Sequence, residues 1–109
     1  MKKLSEVLNS TDLEQSAKDV ITNILGRLDD KIVSSFIENL KITNRKVAGT
    51  CYAGVKENIS RGDFVRLYEA LGYNFATEAL WDNKWCTYKD GCVSKNTFTC
   101  NDDFCPKHG

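Results

Sequence analysis

Proline is nearly missing from this chain: of 109 residues only Pro106 is one, close to the C-terminal end. The ring that breaks helices and removes a backbone donor is therefore kept out of the body of the chain. Histidine is as scarce, with His108 alone. No Ser/His/Asp arrangement and no paired-carboxylate constellation stands out, so no enzyme is expected. A Cys105–His108 nucleophile pair would sit on an unpacked tail, where preorganisation is poor. No sign of charge prevails: 15 basic residues balance 15 acidic ones. That balance gives no global field for nucleic acid or an anionic membrane. No basic run or intact nucleic-acid motif appears either, so nucleic acid is not an expected partner. No apolar stretch approaches the roughly 20 residues of a membrane span. No apolar segment follows the two lysines after Met1, so cytoplasmic synthesis is the expectation.

What is present up to Trp81 has a helical period. Thr11 and Glu14 form a T-x-x-E capping box, with Ser10 an alternative cap. Leu13, Ala17, Val20, Ile21, Ile24 and Leu28 then recur on one helix face. Asp29 or Asp30 can cap a second helix carrying Ile32, Val33, Phe36, Ile37 and Leu40. Thr43 opens a third, with Val47, Ala48, Cys51, Tyr52 and Val55 on one side, against Gly49 and Gly54 at about 1 kcal/mol each. Cys51 there reads as a small core hydrophobe. Ser60 and Asp63 cap a fourth helix through Phe64, Leu67, Tyr68 and Leu71, and Gly72 is placed to end it. "NFATEAL" adds a short last turn. The charges of "DNKW" and "VKENISRGD" read as solvated surface. The expected fold class is all-α: a small helical domain of about four helices over residues 1–81, followed by a cysteine-rich irregular tail over 82–109.

The tail concentrates the sulfur. Cys86, Cys92, Cys100 and Cys105 lie there with one aliphatic residue, Val93, after Trp85. A segment so poor in apolar surface does not offset an ordering cost of about 1–2 kcal/mol per residue, so cross-links must hold it if it is ordered. Three chemistries are open. Cys86, Cys92, Cys100, Cys105 and His108 offer N/S ligands for zinc, although the intervals are looser than paired C-x2-C knuckles. Two disulfides are the second reading, with three connectivities between which the sequence does not choose. The third uses Thr87, Ser94, Thr97 and Thr99. Dehydration of such a hydroxyl leaves an alkene to which a cysteine thiolate can add. Thr87 with Cys92, Ser94 or Thr97 with Cys100, and Thr99 with Cys105 would each close a small thioether ring.

The tail resembles the cores of lanthipeptides, the thioether-ringed antimicrobial peptides. In "WCTYKDGC", Cys86, Thr87 and Cys92 match the C-T-x-T-x-E-C element of the mersacidin-type group, and "NTFTCNDDFC" is similar in texture to their endings. Upstream, "SSFIENL" and "DFVRLYEALGYNFATEAL" resemble the nitrogen-fixation-related leaders of modified-peptide precursors, through Phe36, Leu40, Gly72, Tyr73, Phe75 and Glu78. The resemblance implies a leader at 1–81, a substrate tail that is exported after processing, and a modifying enzyme as protein partner, gripped through Tyr73 and Phe75. No resident cofactor is implied. The competing expectation is a small non-enzymatic interaction protein, an inhibitor or regulator of the kind carried by phages and mobile elements, which binds a target protein and has a zinc- or disulfide-stabilised tail.

Overall fold

Three of the expected helices form in the computed structural model, two of them at the caps the sequence offers; it describes residues 4–87, 91–101 and 105. After a short α1 (Leu4–Asn9) come α2 (Gln15–Leu25), α3 (Asp30–Glu38) and α4 (Arg61–Leu71). The Asp29 side chain accepts the Lys31 N–H at 2.9 Å and Ser60 Oγ accepts the Asp63 N–H at 3.1 Å, each satisfying an otherwise orphaned donor. Gly72 ends α4 at φ 105°, a left-handed position that costs glycine little. The Thr11–Glu14 capping box is not formed. Glu14 is the cap residue without a side-chain bond, and buried Thr11 instead donates to the Leu8 carbonyl at 2.6 Å. Ile21, Ile24 and Leu25 of α2, Phe36 of α3, and Phe64, Leu67, Tyr68 and Leu71 of α4 share one core with Val47, Tyr52, Val55, Tyr73 and Trp81. Trp81 stacks on Tyr68 with the two ring planes 1° apart.

The fold is not all-α. The segment expected to be a third helix is a hairpin, β1 (Lys41–Thr43) and β2 (Lys46–Cys51). Asn44 and Arg45, at φ 51° and 66°, make its two-residue turn, and Thr43 pairs with Lys46 across it. Positive φ at both central residues is the turn form whose twist suits an antiparallel hairpin. Val47 to Cys51 are all buried. A strand covered on both sides has no polar alternation, so its apolar residues could equally be read at helical spacing.

The tail is not irregular either. A single turn, α5 (Glu78–Trp81), runs straight into β3 (Asp82–Cys86), and β4 (Cys92–Cys100) follows. The four strands form one antiparallel sheet in the order β1-β2-β4-β3, so the C-terminal segment lies inside the sheet rather than beside it. β4 doubles back on itself. Nine extended residues would span roughly 26 Å, yet the Cα atoms of Cys92 and Cys100 are 5.7 Å apart. Its first arm, 92–94, pairs with Lys84–Cys86, and its second, 98–100, with Gly49–Cys51. The reversal and the matching jump in register occur where Thr97 and Asn83 take φ 66° and 57°, and the Asn83 side chain accepts the Thr97 N–H at 3.2 Å.

A chain of four hydroxyls ties this sheet to the helices. Thr99 Oγ1 donates to Tyr73 Oη at 2.8 Å, lies 2.6 Å from Thr50 Oγ1, and Thr50 Oγ1 lies 2.8 Å from Tyr68 Oη. Each hydroxyl has one proton. Thr99 gives its proton to Tyr73, so Thr50 donates to Thr99 and Tyr68 donates to Thr50. All four residues are buried. Burial raises the pKa of both tyrosine hydroxyls, well above the ordinary range for Tyr68. Ordering of the tail thus rests on a core of threonines and tyrosines that an inventory of aliphatic residues does not detect.

Candidate functional site

Adjacent residues of a strand face opposite sides, and the β3–β4 hairpin uses this to build two different surfaces. Trp85 and Cys86 are neighbours on β3. Cys86 is fully buried among sulfurs, whereas Trp85 is half-exposed. At the far end of β4, Thr99 faces the helices and Cys100 joins the sulfurs.

The sulfurs pair as Cys86–Cys105 and Cys92–Cys100. The first ties the end of β3 to the turn beyond β4, where the Cys105 N–H bonds the Asn101 carbonyl at 2.9 Å. The second closes the two arms of β4. Each bridge constrains the unfolded chain, a contribution of about 3 kcal/mol for loops of this size. The two bridges are packed together: the Sγ atoms of Cys86, Cys100 and Cys105 all lie within 4.8 Å of one another, beside Ala48. Gly49 makes room for them. A Cβ there would stand 3.0 Å from the Thr99 carbonyl and 3.7 Å from Cys86 Cβ.

The bare backbone at Gly49 also lets the side chain of its partner Lys41 reach toward β3. Lys41 Nζ donates to the Cys86 carbonyl at 2.6 Å and lies 4.6 Å from the centre of the Trp85 ring. Lys95 Nζ lies 4.3 Å from the same ring and 4.5 Å from that of Phe98. Trp85 and Phe98 meet edge to face at 6.3 Å. Two half-exposed aromatic rings thus carry two ammonium groups, each attracted by the ring faces. Partial burial, and then repulsion from Lys95, lower the pKa of Lys41. Lys95 is exposed and has no carboxylate partner among the described residues.

The other expected site residues are spread across different environments. Thr99 is buried in the hydroxyl chain, Ser94 is exposed, and Thr97 packs its hydroxyl 3.7 Å from the sulfur of the unbridged, buried Cys51. Thr87 closes the β3–β4 loop by donating to the Gly91 carbonyl at 3.1 Å. Tyr73 does not project from the molecule: it is buried against Tyr68 and Trp81. Phe75 is half-buried on Phe64 and Trp81, with the Arg61 guanidinium over it. Of the expected zinc ligands, the four tail cysteines are brought together, while His108 lies outside the described residues. Lys41, Trp85, Lys95 and Phe98 were not singled out by the sequence. The signal available was the short alternation around "NTFTC", which marks a strand and so places Phe98 on a surface.

No helix among the described residues is long and apolar enough to cross a membrane. Comparison with protein-family models, with curated proteins and with solved structures finds no match for this chain.

Proposed function

We propose that this protein is a small non-enzymatic interaction module that recognises an acidic segment of a partner protein through Trp85, Phe98, Lys41 and Lys95. The observation that carries this reading is the pair of ammonium groups held over two half-exposed aromatic rings. Aromatic anchors supply much of the energy of protein interfaces. Lys41 and Lys95 stand over the same Trp85 ring, so an acidic segment laid on that ring meets two neighbouring ammonium groups. The disulfides and the Lys41 bond to the Cys86 carbonyl hold the rings in place, which lowers the ordering cost of association.

The rival reading, a precursor of a thioether-bridged peptide, draws on the spacing of hydroxyls and cysteines. It requires residues 82–109 to be outside this fold when modified, because Thr99, Cys86 and Cys100 are all fully buried in it. An intact mass from the native host separates the two. The interaction reading expects a deficit of two hydrogens for each bridge, restored by reductant, and no loss of water. Loss of water would return the precursor to first place. Binding is then tested by calorimetry with acidic peptides and charge-neutral counterparts. Saturable binding that weakens with salt and is lost in Lys95→Glu and Trp85→Ala is expected. Equal binding of neutral and acidic peptides, or an unchanged Lys95→Glu, would refute the assignment.

A further inference from the structure

The sulfurs of the two bridges are gathered at one place in the fold. Those of Cys86, Cys100 and Cys105 converge within 4.8 Å of one another, and that of Cys92 is bonded to Cys100. They come from four separate points of the backbone: the end of β3, both ends of the doubled β4, and the turn at Cys105. A tetrahedral zinc ion with Zn–S bonds of about 2.3 Å sets its sulfurs roughly 3.8 Å apart. Bonded sulfurs are closer than that, and Cys100 Sγ lies within 4.8 Å of both sulfurs of the other bridge. With both S–S bonds broken each pair is released to separate toward the tetrahedral spacing, and Cys92, held next to Cys100 by its bridge, supplies the fourth sulfur.

We propose that the reduced protein binds one thiophilic metal ion of the zinc class through Cys86, Cys92, Cys100 and Cys105. The same four residues thus cross-link the sheet by disulfides under oxidising conditions and by metal under reducing ones. Each bridge is reduced to two thiols either by two thiols, which leave as a disulfide, or by a phosphine, which leaves as its oxide while water supplies the oxygen and the two protons. The four thiols then bind Zn²⁺ and release four protons, leaving a tetrathiolate of net charge −2. Burial supports the site, because it excludes water from three of the four ligands, and metal coordination is what deprotonates a buried thiol outright. The Lys41 ammonium, hydrogen-bonded to the Cys86 carbonyl, places positive charge beside the anionic centre. Cys51 is not a member: it is buried at the end of β2, with its sulfur near Thr97 at the reversal of β4. This inference is independent of the partner surface, and its failure leaves that reading standing.

The test uses the full chain, reduced with a phosphine, desalted without oxygen and titrated first with Co²⁺ and then with Zn²⁺. One Co²⁺ per chain is expected, with the sulfur-to-cobalt charge transfer and visible bands of a tetrahedral all-thiolate site. One Zn²⁺ should displace it. Far-ultraviolet circular dichroism should show that the metal restores whatever sheet is lost on reduction. Cys51→Ser and His108→Ala should bind as the parent does. Cys92→Ser, which leaves the Cys86–Cys105 bridge to hold its oxidised form, should lose the all-thiolate spectrum when reduced. Sub-stoichiometric uptake by the reduced parent, failure of metal to restore order to an unfolded reduced chain, dependence on Cys51 or His108, or an unchanged Cys92→Ser would each overturn the proposal.

Discussion

Thr99→Val is the sharpest probe of the buried hydroxyl chain. Valine keeps the branched shape and suits a strand at least as well as threonine, so propensity alone predicts no loss. The hydroxyls predict otherwise. Thr99 is fully buried and accepts from Thr50 at 2.6 Å while donating to Tyr73 at 2.8 Å. With valine in its place the Thr50 proton has no acceptor in a dry site, a cost of about 1–3 kcal/mol, and the bond to Tyr73 takes with it about 0.5–1.5 kcal/mol more. The expected loss is about 1.5–4.5 kcal/mol, a large part of the roughly 5–15 kcal/mol of a small domain. Thr99→Ser keeps the hydroxyl and loses one methyl group, at about 1 kcal/mol. Urea unfolding with both bridges intact should therefore order the proteins as parent, Thr99→Ser, Thr99→Val, with midpoints that move at constant slope. A Thr99→Val protein as stable as Thr99→Ser would mean that the chain of hydroxyls contributes nothing net.

Phe36→Ala and Leu67→Ala, each emptying a buried site at a helix–helix contact, should each lose about 2–5 kcal/mol by the same urea assay; losses below about 0.5 kcal/mol at both would place the core elsewhere. A chain ending at Trp81 lacks β3 and β4 and leaves Thr50, Tyr68 and Tyr73 without their Thr99 link; it should show no cooperative thermal transition by circular dichroism, and a sharp one would make the helices self-sufficient. Alkaline pH should unfold the protein selectively. Tyr52, Tyr68 and Tyr73 all have raised pKa values, chiefly from burial. Above the unfolded value of about 10 the unfolded chain releases protons that the folded one retains, so stability is full below that pH and falls as pH rises through the folded values. Urea midpoints measured on Cys51→Ser, which removes the free thiol that could exchange with the bridges, should be flat near neutrality and drop above about pH 10; no drop there would place the tyrosines in water.

The helices were legible because their signals are local. Asp29, Ser60 and Gly72 each act on backbone groups within a few residues of themselves, and Phe64, Leu67, Tyr68 and Leu71 fall on one face by spacing alone. The sheet was not legible because its signals are either ambiguous or distant. Val47 to Cys51, buried throughout, fit a helical stripe as well as a strand, and Asn44–Arg45 makes the hairpin turn without the glycine that usually announces it. Gly49 and Gly54, read as defects in a helix, are instead a close approach to the Thr99 carbonyl and a turn at φ 82°. The tail looked unpackable because Thr99, Cys86 and Cys100 count as polar or reactive in isolation. They become interior residues only when Tyr68, Tyr73 and each other's sulfurs are brought to them. Bonding between the tail sulfurs was one of three chemistries the sequence left open, and their pairing was open among three connectivities. The Trp85 surface was missed because Lys41 reaches it from a strand distant in sequence.

The place of β4 between β2 and β3 has a consequence for the order in which the protein can be made. Synthesis runs from the N-terminus, so α1 to α4 and the β1–β2 hairpin leave the ribosome while the strand that completes their sheet has yet to be assembled. Until then β2 is an open edge and the hydroxyls of Thr50 and Tyr68 face water. Four of the five cysteines follow Trp81, so they are translated after the caps and most of the core residues of the helical part. The tail supplies Thr99, the partner that Thr50 and Tyr73 lack until then, so the helical part and the tail order together, and that docking sets Cys100 beside Cys86. Sulfur pairing is then selected by the docked fold, and the bridges lock that arrangement.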